Sequence, residues 1–390
     1  MKIAIVAPTS MPARRANTFQ VAKMAQSFCS LGHTVQLAIP RGDGPRTLTP
    51  DDDRTWEEFA YHYGLRQRFR VEWLPARTSL RRYDYGFAAL IWARRWGADL
   101  IYSRLPQCAA VGSLSGFPTV FEMHDIPQGV AAPLLLRIFL SGSGKRRLVV
   151  ISRALANELQ SRFQSLGIAS FAYIAPDGVD LERYANLPGP SEARQAMMSK
   201  IPGLIDRFTA GYTGNLYPGR GIELVLKLAA RLTAINFLIV GGEPPAVLKW
   251  QQAVKSGNLP NVFVVGFVPN QELPMYQACC EALLMPYQAQ VEASSGGNIA
   301  PYLSPMKAFE YLACGRAILS SDLPVLREVL NDQIAILLPP ADTDAWAAAL
   351  QRVSEHQEYR ANLASEALKV AGQYTWDNRA RGILEGIARL

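Results

Sequence analysis

The 390-residue sequence carries 40 Lys and Arg against 33 Asp and Glu, a net charge of +7, and 49% of its residues are hydrophobic. That length exceeds what one ordinary hydrophobic core serves, so two domains of roughly 150 to 200 residues are expected. The apolar runs stay well short of about 18 residues, which excludes a membrane-spanning helix. The five cysteines and four histidines lack metal-ligand spacing, which argues against a structural zinc and fits a reducing cytoplasm.

The positive charge is concentrated in the first half of the chain. Residues 1–190 carry about 23 Lys and Arg against about 15 Asp and Glu, whereas residues 191–390 are close to neutral. The excess includes three clusters of basic residues: Arg77, Arg81 and Arg82; Arg94 and Arg95; and Lys145, Arg146 and Arg147. Such clusters favour a phospholipid surface, a lipid-phosphate acceptor or nucleic acid as partner, although an ordinary solvated basic face is the alternative. Nucleic acid is the weakest reading, because no aromatic and glycine pattern of an RNA-binding module is present.

The first residues predict a buried strand followed by a loop, a helix and a second strand. The apolar run KIAIVA at residues 2–7 is too short for a signal peptide and is typical of a strand buried on both faces. A loop containing Ser10 and Arg14 leads to a helix that Gly32 ends, and residues 33–38 form the next strand. This β-loop-α-β unit is the repeating element of doubly wound α/β domains. No GxGxxG follows the first strand, so an NAD enzyme is not expected.

The rest of the first half alternates between predicted helices and strands. Helices are expected at residues 51–64, 90–96, 135–140 and 153–163, and strands at 69–74, 100–104, 118–125, 148–151 and 173–175. The apolar stretch 135–140 beside a basic cluster could touch a membrane interface or could be a buried helix that ends in cations. The turn at residues 176–180 and the segment LPGP at 187–190 mark a linker, so the first domain ends near residue 185.

Polar side chains stand at the end of the strand predicted at residues 118–125. Glu122, His124 and Asp125 fall there, and in open α/β sheets ligands bind beyond the carboxyl ends of the strands. His124 can therefore hold a substrate hydroxyl, or it can simply cap the turn that follows.

The second half repeats the alternation and begins with a candidate diphosphate site. A strand at residues 208–214 is followed by Gly219, Arg220 and Gly221, and a helix is predicted over 222–232. Glycines allow close approach of a ligand, a helix N-terminus attracts anions, and Arg220 adds a forked cation at the same point. The motif is not a P-loop, since GxxxxGK[ST] is absent. Strands at 237–240, 262–265 and 283–286 and a short helix at 273–278 follow, and then a polar loop at 292–298.

A second candidate anion site lies in the segment SPMKAFEYLACG, residues 304–315. Ser304 and Pro305 can open a helix with Pro in the first turn, and Gly315 stands where that helix should end. Lys307 beside the free N–H groups of the helix start would attract a phosphate, and Glu310 could accept two hydrogen bonds from a diol. A solvated lysine and a glutamate that interacts only with the helix dipole are the alternative.

Taken in order, these motifs resemble those of one family. In the second half they are GNLYPGRG, IVGGE, VFVVGFVPNQELPMY and SPMKAFEYLACGRAILSSDLPVLREV, and in the first half ANTFQVAKMAQSFCSLGHTV, VFEMHD and PDGVD. The C-terminal YTWDNRARGILEGI is similar to a closing helix that crosses back to the N-terminal domain. The set resembles the GT-B glycosyltransferases of family 4 over nearly the whole chain.

The resemblance implies an α/β fold of two doubly wound Rossmann-like domains that face a cleft. An acceptor-binding domain would span residues 1–185 and a nucleotide-sugar-binding domain residues 190–374, with the C-terminal helix, residues 375–390, packed on the first domain. The implied activity is a metal-independent transfer of a hexosyl group with retention of the anomeric configuration. No cofactor is implied besides the substrate nucleotide sugar.

Carried over residue by residue, the resemblance implies three groups of site residues. The catalytic group, in which His124 contacts the transferred sugar and the two cations stabilise the diphosphate leaving group, is His124, Arg220 and Lys307. The donor-binding group contacts the diphosphate, the ribose and the nucleobase and comprises Asn215, Gly219, Gly221, Gly242, Phe267, Val268, Ser304, Pro305, Met306 and Glu310. The group facing the acceptor or the sugar is Ser10, Arg14, Glu122, Asp125, Asn298 and Tyr302, and no residue is assigned to a metal.

The sequence departs from the family pattern at three places. Tyr302 stands where the family often has a glutamate, so Asn298 or a backbone amide is expected to hold the sugar's 3-hydroxyl. Asn215 stands where many members have an arginine, which leaves more of the charge to Arg220. The N-terminal loop lacks the frequent Gly-Gly, and Ser10 and Arg14 are expected to approach the diphosphate instead.

Several alternatives stay open at this point. The donor is expected to be a UDP-sugar, with a GDP-sugar as the second choice, and the acceptor is a saccharide, a lipid-linked compound or a small molecule. A nucleotide-sugar epimerase and a non-catalytic nucleotide-sugar-binding protein are the competing functions. The expected location is the cytoplasm, with peripheral contact between the basic N-terminal domain and the inner face of an anionic membrane, and no nucleic-acid partner.

Overall fold

The computed structural model describes residues 1–41, 53–80, 82–168, 172–292 and 296–388. The chain divides into two compact units. Unit 1 comprises Met1–Asp177 and Trp376–Leu390, and unit 2 comprises Gly178–Thr375. Four predicted features extend outside the described residues: Arg81 of a basic cluster, residues 51–52 of a helix, residues 293–295 of the polar loop, and residues 389–390 of the C-terminal helix.

Unit 1 is built on a parallel sheet of seven strands. They are β1 Lys2–Val6, β2 Thr34–Arg41, β3 Arg70–Pro75, β4 Leu100–Ser103, β5 Thr119–Met123, β6 Arg146–Val150 and β7 Tyr173–Ile174. Their spatial order is β3-β2-β1-β4-β5-β6-β7. The chain reverses its direction of winding between β1 and β4, and this places the ends of β4 and β5 at the switch point where doubly wound sheets bind ligands.

Helices connect these strands and are joined by one from the end of the chain. They are α1 Ala16–Ser30, α2 Asp53–Tyr63, α3 Tyr83–Trp96, α4 Pro106–Leu114, α5 Ala131–Ser141, α6 Arg153–Arg162 and, as the last helix, α14 Trp376–Ala388. α14 packs against α1 and β6. Residues from β1, α3 and β4 form one of the cores, in which Tyr85 is fully buried.

Unit 2 repeats the architecture with six parallel strands. They are β8 Thr209–Thr213, β9 Asn236–Val240, β10 Val262–Gly266, β11 Ala282–Met285, β12 Ala317–Ser321 and β13 Ile336–Leu338, in the spatial order β10-β9-β8-β11-β12-β13. The helices are α7 Pro190–Ala196, α8 Ile222–Arg231, α9 Pro244–Ser256, α10 Leu273–Ala278, α11 Met306–Cys314, α12 Thr343–Glu355 and α13 Gln357–Ala371. The central strands β8, β9, β11 and β12 are buried along their whole length, as strands covered by helices on both faces are.

The predicted fold class, α/β with two doubly wound Rossmann-like sheets, is confirmed. Gly32 and Gly315 follow α1 and α11 with φ angles of +81° and +64°, the left-handed conformation expected after a helix. α3 begins seven residues earlier than predicted, at Tyr83, and the helices α4, α7, α9, α12 and α13 were not predicted. Pro305 precedes α11 in an extended conformation and does not occupy its first turn. No helix in the described ranges is long and apolar enough to cross a membrane.

Two arginines of the cluster at residues 145–147 have structural contacts that the charge pattern did not indicate. Arg146 donates hydrogen bonds from Nη1 to the carbonyl oxygens of Gly142, at 2.7 Å, and Gly144, at 3.3 Å. The Arg147 guanidinium lies 4.0 Å from the centre of the Tyr173 ring and fills the space beside Gly386 of α14. These two cations therefore have structural roles, at the α5–β6 turn and beside α14.

Candidate functional site

Lys307 lies in the first turn of α11 and is almost fully buried. Its side chain is only 8% exposed, and its Nζ atom has no hydrogen-bond partner among the described residues. The nearest groups are aromatic, since Nζ lies 3.6 Å from the centre of the Tyr212 ring and 5.4 Å from that of Tyr287. Burial, followed by the nearby Arg220 cation, lowers the pKa of Lys307 well below its ordinary value. The Glu310 carboxylate acts in the opposite direction. A buried amine that lies on ring faces and lacks a hydrogen-bond partner is suited to an anion.

The end of β8 leaves room for this lysine. Gly214 follows β8 with φ +134°, and a Cβ atom there would lie 2.9 Å from Lys307 Nζ. Gly241, at the end of the neighbouring β9, packs against the Gly214 backbone so closely that a Cβ atom would lie 2.2 Å from the Gly214 carbonyl oxygen. Gly214 therefore leaves the space that Lys307 Nζ occupies, and Gly241 allows the Gly214 backbone to pack against β9.

Arg220 brings a second cation to the same ring. Its Cζ atom lies 5.3 Å from the centre of the Tyr287 ring, on which Lys307 also lies. Its Nε atom is buried without a hydrogen-bond partner among the described residues, and its Nη2 atom is 3.5 Å from the carbonyl oxygen of Glu292. Two cations so close together repel each other, and an anion bound between them would relieve that repulsion.

Gly219 and Gly221 have a structural role that the sequence did not indicate, and their contact with a donor stays a prediction. Their φ angles are +80° and +83°, and a Cβ atom would lie 1.9 Å from the Gln290 carbonyl oxygen at Gly219 and 1.8 Å from that of Pro286 at Gly221. The missing side chains thus admit the segment after β11, and close approach of a ligand is not what these contacts require. Gly242 is similar, because a Cβ atom there would meet the side chain of Leu216 at 2.6 Å.

Glu310 lies one turn after Lys307 and belongs to a polar chain that runs into the core. Gln277 is fully buried and donates from Nε2 to Glu310 Oε2 at 3.3 Å and to Thr213 Oγ1 at 3.1 Å. The Tyr311 hydroxyl accepts a hydrogen bond from the Thr213 backbone N–H at 2.8 Å. Glu310 itself is half-buried, so its carboxylate has both a fixed side and an accessible one.

The remaining predicted donor residues surround these groups at strand ends and helix starts. Asn215 follows Gly214, and its carbonyl oxygen accepts a hydrogen bond from the Tyr212 hydroxyl at 2.6 Å. Phe267 and Val268 directly follow β10 and are half-buried. Ser304 and Pro305 precede α11, and Met306 is its first residue, where helix geometry provides no acceptor for the N–H group.

Asn298 and Tyr302 differ in how much of their side chains is available to a sugar. The Asn298 side-chain oxygen accepts hydrogen bonds from the backbone N–H groups of Val291, at 2.9 Å, and Ala300, at 3.0 Å. Its carbonyl group therefore shapes the loop, and the amide nitrogen is what it can offer to a sugar. Tyr302 is buried, with an exposed fraction of 6%.

In unit 1, β5 ends in a buried carboxylate and a partly exposed imidazole. The Glu122 side chain is fully buried, in contact with Gln20, His124 and Arg379. It therefore holds other side chains in place, and the contact with acceptor or sugar expected of it stays a prediction. The His124 side chain is 19% exposed, and its Nε2 atom hydrogen-bonds to Glu122 Oε1. Burial and the Arg104 cation lower the pKa of His124 to about 4 although Glu122 opposes them.

Ser10, Arg14 and Asp125 lie on the surface loops of unit 1. Ser10 is exposed and donates from Oγ to the Pro40 carbonyl oxygen at 3.1 Å. Arg14 is exposed just before α1, and Asp125 is half-buried and accepts the backbone N–H of Ile126 at 2.7 Å.

Two family models match the chain, one for each unit. The model "Glycosyltransferase Family 4" matches residues 19–183, and the model "Glycosyl transferases group 1" matches residues 207–356. The chain belongs to glycosyltransferase family 4. It is a glycosyltransferase, and its two Rossmann-like sheets are those of the GT-B fold.

Relatives with named activities are similar over most of the chain. The phosphatidyl-myo-inositol mannosyltransferase of Mycolicibacterium smegmatis is 25% identical over 397 residues, which cover 96% of this chain and 90% of the relative. A D-inositol 3-phosphate glycosyltransferase of Rhodococcus erythropolis is 25% identical over 345 residues, 82% of this chain and 70% of the relative.

Solved structures share the fold of this family 4 member. HepE of Anabaena, solved in complex with UDP, has a TM-score of 0.72 at 18% identity, with both chains covered completely. Sucrose-phosphate synthase from Thermosynechococcus elongatus has a TM-score of 0.71 at 16% identity and is covered to 98%. At these identities the likeness shows the fold alone.

The structure of this family 4 glycosyltransferase groups the predicted residues within each unit. In unit 2 it brings Arg220, Lys307 and Glu310 together, and in unit 1 it joins His124 to Glu122. Sequence reasoning missed the side chains that hold these groups: Gln20, Arg104, Tyr212, Gln277, Tyr287 and Arg379. Arg379 had one available signal, since a single arginine on the apolar face of an amphipathic terminal helix indicates a buried partner.

Proposed function

We propose that this protein transfers a sugar from a UDP-sugar to an acceptor with retention of the anomeric configuration and without a metal ion. Unit 2 binds the donor, and unit 1 binds the acceptor. The observation that carries the proposal is the buried Lys307 side chain, whose Nζ atom lies on an aromatic ring and has no hydrogen-bond partner in the described part of the chain. A diphosphate would supply the missing negative charge.

The donor is assigned from the site and from a structural neighbour. The diphosphate lies between Lys307 and Arg220 at the starts of α11 and α8, and Glu310 accepts the ribose hydroxyls. The backbone at Phe267 and Val268 contacts the nucleobase. UDP is preferred over GDP because the HepE structures hold UDP and UDP-glucose in the same fold.

The chemistry follows from the charge that develops on the leaving group. When the glycosidic bond to the diphosphate breaks, negative charge accumulates on the departing oxygen. Two cations and the first N–H groups of α11 at the proposed diphosphate position would stabilise that charge in the transition state with little reorganisation. His124 accepts a hydrogen bond from a hydroxyl of the transferred sugar. No cofactor takes part in this scheme, and a chelator should leave turnover unchanged.

The acceptor class is proposed from the charge of unit 1 and from the relatives. Unit 1 carries 25 Lys and Arg against 15 Asp and Glu, whereas unit 2 carries 15 against 18. The two relatives named above act, by their names, on a phosphatidyl-inositol and on an inositol phosphate. A phosphate-bearing saccharide or lipid-linked acceptor suits a unit with a net charge of +10.

We also propose that unit 1 contacts an anionic phospholipid surface on the cytoplasmic side of a membrane. Phe87 and Ile91 stand exposed on α3, one turn apart and one turn before Arg94 and Arg95. On α5, Leu134 is exposed one turn before the exposed Arg137. Both helices pack against α4, so the apolar and basic residues belong to one layer of unit 1. Apolar side chains beside cations are what an anionic lipid interface attracts.

The function is tested by incubating the protein with UDP-sugars and GDP-sugars and with acceptors, and measuring released nucleotide and new glycoside. A glycoside with the donor's anomeric configuration supports the proposal. A released epimer of the donor without an acceptor would instead show an epimerase, and nucleotide-sugar binding without turnover a binding protein. Glu310→Ala should weaken UDP binding and Arg220→Ala should mainly lower turnover, whereas the exposed Glu358→Ala and Arg231→Ala serve as controls.

The membrane contact is tested by sedimentation with phosphatidylcholine vesicles that contain or lack phosphatidylglycerol. Binding only to the anionic vesicles, weakened by the pair Phe87→Ser and Leu134→Ser, supports the contact. Leu368→Ser, an exposed leucine on α13 of unit 2, is the matched control and should bind as the wild type does. Equal recovery with both vesicle types would contradict this part of the proposal and leave the transferase assay unaffected.

A further inference from the structure

Unit 1 contains a buried group of charged side chains next to His124 that the leaving-group chemistry does not use. Its centre is the carboxylate of Glu122, whose side chain is completely shielded from solvent. Burial alone would raise the pKa of Glu122, but the Arg379 guanidinium and His124 outweigh it and hold that pKa below its ordinary value. The carboxylate therefore stays charged inside the unit, which requires well-placed partners.

Arg379 of α14 is the main partner. Its Nη1 atom donates to Glu122 Oε2 at 3.0 Å, and its Nη2 atom lies 3.0 Å from Oε1, so the pair is bidentate. The same guanidinium donates to the carbonyl oxygens of Pro176, at 3.0 Å, and Ala175, at 3.1 Å, and to the Tyr102 hydroxyl at 3.2 Å. With so many bonds in one plane, Arg379 fixes the plane of the carboxylate.

A second chain of contacts fixes the carboxylate from the side of α1. Gln20 donates from Nε2 to Glu122 Oε1 at 2.5 Å, and its own oxygen accepts from Arg104 Nη1 at 2.9 Å. Arg104 also donates to the carbonyl oxygen of Asn17 at 3.2 Å. Because Arg104 can only donate, the orientation of the Gln20 amide is determined, and its nitrogen must face Glu122.

These contacts determine the state of His124. A charged carboxylate can only accept, so Nε2 of His124 carries the proton in its hydrogen bond to Glu122. In the neutral ring Nδ1 is then an acceptor, and no residue in the described ranges donates to it. The charged or titratable groups facing this ring and its partner are Glu122, Arg104, Arg379 and Asp177.

We propose that Arg379 is a positioning residue: by fixing the Glu122 carboxylate, it holds His124 with Nε2 protonated and Nδ1 ready to accept a hydroxyl hydrogen of the sugar. The inference rests on the proposed contact between His124 and the transferred sugar. It gives the C-terminal helix α14 a role in the reaction that its packing on α1 and β6 alone would not require.

The first test is made on the wild-type chain by ¹⁵N NMR of the histidine rings, with His124→Gln used for assignment. We expect His124 to be the neutral tautomer with Nε2 protonated from pH 8 down to pH 5.5. A ring protonated on Nδ1, or one that titrates like a free histidine, would overturn the inference. This readout needs no substrate, so it stays informative even if the proposed transfer reaction is wrong.

The second test compares Arg379→Met, Arg379→Lys and the control Arg381→Met, which changes an exposed arginine of the same helix. In Arg379→Met we expect turnover to fall about tenfold or more because the imidazole loses its fixed orientation. The affinity for UDP, which reports on unit 2, should stay within twofold of the wild type. His124 should titrate at a higher pH, since a repelling cation is gone, and Arg379→Lys should recover part of both effects.

The outcomes separate positioning from a merely structural role. If Arg379→Met folds, binds UDP normally and keeps wild-type turnover and His124 titration, Arg379 only stabilises the fold and the inference fails. If Arg379→Met does not fold, Arg379→Lys provides the test of the positioning role. A lysine has one nitrogen atom where arginine uses two to pair with Glu122, so it cannot fix the carboxylate in the same way. An unchanged tautomer and unchanged turnover in Arg379→Lys would therefore also overturn the inference.

Discussion

Lys307 Nζ lies 3.6 Å from the centre of the Tyr212 ring, with no acceptor for its hydrogens in the described part of unit 2. The face of an aromatic ring replaces only part of the hydration that a buried ammonium loses. The arrangement therefore lowers the stability of the free protein, and a bound anion would remove that destabilisation.

Replacing Lys307 by methionine should affect stability and binding in opposite directions. The variant removes a buried amine without a hydrogen-bond partner, so we expect its thermal unfolding midpoint to be equal to or higher than that of the wild type. A lost charged hydrogen bond of about 1.5 to 3 kcal/mol should weaken UDP binding about tenfold to a hundredfold. Lys249→Met, which changes an exposed lysine beside Trp250, is the control and should alter neither property. A less stable variant with unchanged affinity would contradict this prediction.

Binding of the nucleotide should be accompanied by proton uptake at Lys307. Burial and then Arg220 lower the pKa of this lysine in the free protein, whereas a bound diphosphate raises it again. Between the two pKa values the complex holds one proton more than the free protein, so affinity falls as pH rises through that window. Calorimetry in buffers with different ionisation heats measures the uptake. It should vanish in Lys307→Met, and uptake that persists there would assign the proton to another group.

Helix α11 shows which features of the site the sequence can predict and which it cannot. The apolar spacing after residue 304 and the glycine at 315 predicted α11, and the position of Lys307 predicted an anion site. The Tyr212 ring beneath Lys307 could not be predicted, because nothing local connects a strand residue to a lysine so far along the chain. The same holds for Glu122 and Arg379, which are joined only by the packing of α14. Gly219 and Gly221 were correctly singled out, but contacts within the chain now explain them.

The glycine at 221 should be needed for folding, and a second glycine can isolate the reason. Alanine at Gly221, where φ is +83°, would place its Cβ atom 1.8 Å from the Pro286 carbonyl oxygen. Alanine at Gly297, where φ is +84°, would place its Cβ atom more than 4 Å from any atom of the described residues. The conformational cost of about 1 kcal/mol is common to both. Gly221→Ala should therefore lower the unfolding midpoint markedly more than Gly297→Ala, and equal losses would refute the close contact with Pro286.

His124 should make the protein less stable in weak acid. Its pKa is lowered to about 4 by burial and by Arg104, whereas the unfolded chain has the ordinary value of 6.5. Between these values the unfolded state binds a proton that the folded state does not, so stability falls as pH drops from about 6.5 to about 4. His124→Gln should lose that share of the acid dependence, measured by urea unfolding at several pH values. The exposed His356→Gln is the control, and identical acid dependence in both variants would contradict the assignment.

Gln277 should determine how well the site recognises ribose. It is fully buried and joins Glu310 to Thr213, at 3.3 and 3.1 Å, so it restricts the directions in which the Glu310 carboxylate can point. If Glu310 accepts both ribose hydroxyls, the wild type should bind UDP more tightly than 2′-deoxy-UDP, and Gln277→Leu should lose part of that preference. We expect the fold to survive, because Thr213 Oγ1 also lies 3.2 Å from the Tyr311 hydroxyl.

The matched control for this variant is Gln251→Leu. Gln251 is an exposed glutamine on α9 that donates to the Val264 carbonyl oxygen at 3.1 Å, and its side chain has no role in the proposed donor site. Calorimetric titration of both variants with UDP and with 2′-deoxy-UDP gives the ratio of the two affinities directly. A ratio that stays at the wild-type value in Gln277→Leu would mean that Glu310 needs no support from Gln277. Equal affinity for the two nucleotides in the wild type would show that Glu310 does not bind the ribose hydroxyls. The proposed diphosphate contacts of Lys307 and Arg220 are tested separately, by their own variants.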